Sequence, residues 1–217
     1  MNSLITTEET AKTRSRYNRV APIYDAMELP YEGRFAPWRE KVWSLVPSGQ
    51  VLQVGVSTGK NFPYHPARVQ VTGIDLSNRM LARARQKAHS LGRSIQLREM
   101  DVQQLDFPDS SFDAAVATFV FCSVPDPVAG LRELGRVVKP DGRIILLEHV
   151  RIDRPAIIGK LMDLFDPLVV RLMGPHINRR TAETVQQAGL EVEQAEDLAR
   201  GGLVKLIIAR PSSLTPD

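Results

Sequence analysis

The feature that most constrains the fold of this chain is a regular alternation in its middle third. Short apolar runs that read as strands are separated by segments with helical spacing. "VLQV" (51–54), "VQVTGID" (69–75), "IQLREMD" (95–101), "FDAAVATFV" (112–120) and "RIILLEHV" (143–150) are five strand candidates. Between the second and third, Ser77 caps a helix with Met80, Leu81, Ala84, Ala88 and Leu91 on one face and Gly92 as its stop. Asp126 and Pro127 open another helix running to about Val138, and "KPDG" (139–142) reads as a turn. Such alternation predicts a parallel sheet with helices on both faces. The end differs: residues 189–211 read as strand, Gly-Gly turn, strand, and two strands joined so tightly are antiparallel. The tail from Ser212 is expected to fray.

At 217 residues the chain fits one domain with an appended cap. We expect a helical segment over 1–46 and the main domain over 47–217, with a helical insert at about 151–177 that is apolar but interrupted by charges and Pro167. No run approaches the ~20 apolar residues needed to span a bilayer, and the first residues lack the apolar core of a secretory signal. A single cysteine, Cys122, fits a reducing cytoplasm. A net charge of +3 is too mild to argue nucleic-acid binding. Lys12, Arg14, Arg16 and Arg19 nevertheless cluster in one short segment, a pattern attracted to anionic membrane surfaces and equally compatible with a solvated helix face.

The first strand candidate runs into Gly55-Val56-Ser57-Thr58-Gly59, which lacks the spacing of both the dinucleotide fingerprint and the phosphate loop. In an open α/β sheet, ligands bind at the carboxyl ends of the strands. There the chain offers this close-approach loop, Asp75 as an acceptor for ribose hydroxyls, and Asp101. The set suits a nucleoside whose other end is not a pyrophosphate.

With these motifs in order over about residues 45–210, the chain resembles the class I S-adenosylmethionine-dependent methyltransferases. Val54 to Gly59 is similar to their first motif, with Ser57 at the usual middle glycine. The resemblance implies a Rossmann-like seven-stranded α/β sheet, mostly parallel, with a C-terminal antiparallel hairpin and an N-terminal helical lid. It implies S-adenosylmethionine as cofactor, with Gly55, Ser57, Thr58, Gly59 and Asn61 near its methionine part. Asp75, Leu76 and Met80 would lie at the ribose, Asp101 and Val102 beside the adenine, Thr118, Phe119 and Cys122 at the strand-four end, and Tyr24 on the lid. A serine at position 57 fits without cost only if its backbone angle is ordinary.

The segment "RYNRVAPIYDAMELPYEGRFAPWR" (16–39) resembles the N-terminal helix region shared by ubiquinone/menaquinone methyltransferases and bacterial phospholipid N-methyltransferases, and "GPHINRRT" (174–181) especially resembles the second group, the branch that acts on phosphatidylethanolamine. That resemblance implies a phospholipid substrate, a cytoplasmic enzyme working peripherally at the inner membrane face, and no metal. An ammonium acceptor must lose a proton, for which Tyr24, Glu148, His149 and His176 are candidates. Arg179 and Arg180, at an expected helix start, would meet the phosphate. Blander readings stand beside these: a packing tyrosine, structural histidines, solvated arginines, a filler cysteine. The expected state is a monomer. A quinone ring, small amine or thiol as acceptor is the alternative, and a cofactor-binding module without catalysis is a third.

Overall fold

The computed structural model describes residues 2–152, 155–172 and 176–212. Two helices come first, α1 (Asn2–Val20) and α2 (Tyr24–Ser44), followed by β1 (Gly49–Val54), β2 (Val69–Asp75), α3 (Asn78–Ser90), β3 (Gln96–Glu99) and β4 (Phe112–Thr118). Then come α4 (Pro127–Val137), β5 (Val138–His149), α5 (Ala156–Leu172), α6 (Thr181–Gln187), β6 (Leu190–Asp197) and β7 (Val204–Pro211). The strands form one seven-stranded sheet in the order β3-β2-β1-β4-β5-β7-β6. β7 is antiparallel to both neighbours, and the other pairings are parallel. The strand order reverses between β1 and β4, which is where such sheets bind ligands.

The central strands are apolar on both sides because both faces are covered. Leu52, Val54, Ala115, Ala117, Ile144 and Leu146 pack toward α4 and α6 through Leu131, Leu134 and Val185. Val51, Ala114, Val116, Ile145 and Leu147 pack toward α2 through Val42 and Trp43. α3 begins as its sequence predicts: the Ser77 hydroxyl accepts from the Met80 amide at 3.1 Å. Asp126 caps α4 in the same way through the Ala129 amide at 2.9 Å.

Three boundaries differ from the sequence expectation. "KPDG" is not a free turn but a bulge within β5: the pairing steps from Phe112↔Val138 to Ala114↔Arg143, so the extra residues oppose Asp113 alone. Asp113 fills that gap by accepting from Lys139 Nζ at 2.5 Å and from the Gln50 amide at 2.7 Å. β3 is shorter than expected, and β4 stops at Thr118 because Phe119 turns to φ 58°. The 151–177 segment contains one helix, α5, which continues through Pro167. Gly174 and Pro175 of the "GPHINRRT" string, and the tail from residue 213, lie outside the described residues.

Leu146 is fully buried in β5 near the middle of the sheet. Leu146→Ala is expected to lower unfolding free energy by about 2–5 kcal/mol. A urea midpoint shifted by less than the equivalent of ~1 kcal/mol would contradict this packing.

Candidate active site

Asp75 ends β2 with its carboxylate buried between two backbone turns. Oδ2 accepts from the Ser57 amide at 2.8 Å and Oδ1 from the Ser77 amide at 2.8 Å. One side chain thereby ties the loop after β1 to the start of α3. Burial pushes the carboxyl up to about 6, against the lowering effect of those amides. The loop it holds is tightly wound. Gly55 has φ 62°, and a Cβ there would lie 2.5 Å from Val120 Cγ2. Ser57 has φ 52°, the left-handed region. The serine at the middle-glycine position therefore does not have an ordinary backbone angle. Its amide reaches Asp75 only because the residue accepts that strain.

The other wall comes from β4 and the turn after it. Phe119, also left-handed, donates its amide to Leu147 O at 2.7 Å. The next two amides, of Val120 and Phe121, donate to Glu148 Oε1 at 2.9 and 3.1 Å. Glu148 thus shapes the turn from beneath. Its Oε2 has no partner, and burial pushes the carboxyl up to about 7.

Between these walls is a cavity lined by Gly55, Ser57, Asp75, Leu76 and Met80 on one side and by Asp101, Val102, Thr118 and Phe119 on the other, with Tyr24 at the mouth. Thr58, Gly59, Asn61 and Cys122 stand behind the lining. Thr58 Oγ1 donates to Asp25 Oδ1 at 2.6 Å, and Asn61 Nδ2 donates to Thr118 Oγ1 at 2.8 Å. Cys122 is fully enclosed, its thiol pushed up to about 12 by burial.

The four proton-acceptor candidates are not gathered at one point. Tyr24 lines the cavity, and burial first, then the Glu28 carboxylate, hold its phenol well above its ordinary value. Glu148 lies below the wall rather than in it, because both of its bonded amides belong to the turn. His149 stacks on Phe119 with centroids 4.4 Å apart, and burial lowers its pKa, so its imidazole is neutral. His176 sits on the outer side of the turn: its amide donates to Cys122 O at 2.8 Å, and Nδ1 is 2.8 Å from Asp166 Oδ2. The arginines do not act as a pair either. Arg179 turns inward and donates to Val124 O at 3.1 Å, while the exposed Arg180 meets Glu183 at 3.0 Å. The helix they precede has only seven residues.

A helical lid over 1–46 is expected from the sequence, but the residues of α1 that contribute to it are not. Thr13 and Tyr17 close the cavity from above. The Tyr17 and Ser123 hydroxyls are 2.7 Å apart, Thr10 donates to Asp101 Oδ2 at 3.2 Å, and Ser77 donates to Asn18 Oδ1 at 2.6 Å. The only pointer to this in the sequence is the "RYNR" string, which contains Tyr17 and Asn18.

The donor set fits a nucleoside. Asp75 has acceptor capacity left and, among the described residues, no cation paired with it, which suits two ribose hydroxyls. Leu76, Met100 and Val102 offer apolar surface for a planar base beside the Asp101 carboxylate. Among the described residues no group of His, Cys, Asp and Glu is arranged to hold a metal ion.

Ser57→Gly removes a left-handed Cβ without touching the amide bond to Asp75, and is expected to raise stability by about 1 kcal/mol. A melting temperature unchanged or lowered in scanning calorimetry would contradict the strain.

Comparison with known proteins agrees with this geometry. Residues 52–146 match the methyltransferase domain family. A phosphatidylethanolamine N-methyltransferase of Cereibacter sphaeroides is 37% identical over 159 residues, 71% of this chain and 76% of that protein. A ubiquinone/menaquinone biosynthesis C-methyltransferase of Bdellovibrio bacteriovorus is 32% identical over 168 residues, 74% of this chain and 71% of that protein. Among solved structures, an S-adenosylmethionine-dependent methyltransferase from Aquifex aeolicus superposes with a TM-score of 0.63 at 21% identity, covering 80% of this chain and 89% of that one. The 4+2 cyclase SpnF superposes with a TM-score of 0.67 at 21% identity, covering 83% of this chain and 81% of that one, so the fold alone does not fix the reaction. The relatives in sequence, together with the cavity lined by Asp75 and Asp101 at the sheet's switch point, establish that this chain belongs to the S-adenosylmethionine-dependent methyltransferases and takes S-adenosylmethionine as its cofactor.

Proposed function

We propose that the protein N-methylates the ethanolamine head group of phosphatidylethanolamine, and its partly methylated forms, at a membrane surface. The observation that carries this reading is the 37% identity to a phosphatidylethanolamine N-methyltransferase over three quarters of that protein's length. A second observation supports it. α5 exposes Ile157, Leu161, Leu164, Phe165 and Leu168, and it joins the site's outer wall through Asp166 and His176. An apolar helix face beside a polar cavity suits a substrate with acyl chains on one side and a charged head on the other. We infer that this face and the basic residues of α1 meet an anionic bilayer. Lys12 is paired with Glu8, and Arg14 lies 3.9 Å from Glu99, so the contribution of these two is attenuated. Methylation of a quinone ring carbon is the second reading, favoured by the 32% identity to the C-methyltransferase.

The cofactor supplies an activated methyl group on sulfonium. In this reading Asp75, the loop of Gly55 to Gly59 and the apolar walls hold the donor. Tyr17, Tyr24 and α1 keep water out, and Phe119 and His149 border the acceptor. An ammonium acceptor must lose a proton before its nitrogen attacks; His149 is uncharged beside Phe119, and the burial that lowers its pKa also weakens it as a base for that step.

Vesicles of phosphatidylethanolamine and anionic lipid, incubated with the protein and S-adenosylmethionine, are expected to gain one to three methyl masses on the head group by mass spectrometry. Methylation of a quinone precursor with none of the lipid would replace this reading by the second. Leu164→Glu with Phe165→Glu is expected to cut the vesicle reaction at least tenfold while leaving S-adenosylhomocysteine affinity unchanged.

Asp75 gives the cofactor site a pH dependence. Its carboxyl titrates at about 6 in the free protein, and ribose hydroxyls donating to the carboxylate would lower that value in the complex. The complex then binds fewer protons than the free protein, so cofactor affinity rises as pH increases through about 6 and a proton is released. Calorimetry in two buffers of different ionisation enthalpy should show that release near pH 6 and its loss in Asp75→Asn. Affinity independent of pH between about 5 and 7 would exclude it.

A further inference from the structure

One face of α1 carries Ala11, Arg14, Ser15, Asn18 and Arg19 at helical spacing (i, i+3, i+4, i+7, i+8). Together with Arg79 of α3 they line an open groove that shares no residue with the cofactor cavity. Asn18 belongs both to the groove and to the fastening of the lid. Its Oδ1 accepts from the Ser77 hydroxyl at 2.6 Å and from the Arg79 amide at 3.4 Å, and its carbonyl accepts from Arg79 Nη1 at 3.4 Å. The Ser77 amide in turn donates to Asp75. The groove is thus joined by two hydrogen bonds to the carboxylate that holds the cofactor loop.

The three arginines of the groove have little to neutralise them. Arg14 has Glu99 at 3.9 Å, beyond hydrogen-bond reach. Among the described residues the Arg79 guanidinium meets the Asn18 carbonyl and no carboxylate, and the Arg19 guanidinium has neither an ion pair nor a hydrogen bond. Arg83, one turn further along α3, differs: it meets Asp25 at 2.8 Å and reaches the Pro22 carbonyl at 3.5 Å. That second contact sets the corner between α1 and α2 beside the groove, and the corner exposes Ile23 and Met27. Like charges on two helices resist the approach of α1 to α3, and an anion between them reverses the sign. Apolar side chains next to the groove favour an anion that carries acyl chains over one dissolved in water.

We propose that the arginine groove seats the phosphate of an anionic phospholipid, a ligand distinct from the methylated substrate, and that this bridge fastens α1 over the cofactor cavity. The inference deepens the proposed bilayer contact and rests on it: the membrane becomes an activator as well as the place where the substrate lies. The lid's own bonds, Tyr17 to Ser123 and Thr10 to Asp101, are exchanged for water at little net cost. The phosphate adds charge-assisted bonds that exist together only when the lid is down, because Arg79 belongs to the domain and Arg14 and Arg19 to the lid. By linkage, a nucleoside in the cavity raises lipid affinity by the same factor as the lipid raises nucleoside affinity.

The test titrates the full chain with S-adenosylhomocysteine by calorimetry, in excess vesicles of phosphatidylcholine alone or of phosphatidylcholine with phosphatidylglycerol. The anionic vesicles are expected to tighten the nucleoside about fivefold or more and to slow amide exchange in α1. Arg19→Gln with Arg79→Gln is expected to abolish that tightening and to leave the affinity without vesicles unchanged. Lys12→Gln with Arg16→Gln removes the same charge from outside the groove and is expected to keep it. Equal affinity on the two kinds of vesicle, or equal loss in both double variants, would overturn the groove. Inorganic phosphate giving the same tightening without vesicles would overturn the lipid as its occupant. If the Arg79 variant does not fold, Arg19→Gln alone and the vesicle pair still decide. Tightening by phosphatidylglycerol without methylation of phosphatidylethanolamine would keep the groove and sink the substrate reading. Methylation with nucleoside affinity indifferent to phosphatidylglycerol would do the reverse.

Discussion

The architecture of the site depends on one buried carboxylate. Asp75 accepts from two backbone amides that belong to different elements, one after β1 and one before α3. Parallel strands leave their carboxyl ends side by side but do nothing to fix the loops that follow them. Asp75 supplies the link, and among the described residues it does so without a counter-cation. That choice leaves lone pairs free for a ligand's hydroxyls, whereas an arginine in the same place would have consumed them. The strain at Ser57 follows from it: the loop must turn its amide inward to reach the carboxylate, and φ 52° is what that turn requires.

The sheet and most of its helices were legible in the sequence because their signals are local. Ser77 and Asp126 cap helices through their own side chains, and strands buried on both faces read as apolar runs. "KPDG" misled because its composition specifies a turn, while its pairing partner, Asp113, is far away in sequence and fills the bulge from the neighbouring strand. Asp75, Asp101 and the glycine loop were legible as a strand-end set. Their convergence on one cavity depends on strand order, which motif spacing does not state. Tyr17, Ser123 and Thr10 were not legible, since a polar helix laid over a cavity has no period that marks it. The pairing of Arg179 with Arg180 was a sequence neighbourhood that the backbone undoes by sending one side chain inward and the other to solvent.

A shared scaffold and a private mouth divide the labour. The cofactor half is built from strand ends, whereas the residues at the mouth come from α2 and from the turn after β4. Asp25 on α2 accepts from Thr58 and Arg83, which holds the helix to the domain.

None of the described side chains of α1 between residues 7 and 20 is fully buried, and it touches the cavity rim through hydroxyls and amides. Among the described residues α1 contributes no side chain to the hydrophobic clusters of the core. Each of its bonds is replaced by water at little net cost when it lifts. A helix held in this way would open locally at a lower cost than the sheet unfolds, so exchange of the nucleoside would not need to disturb the core.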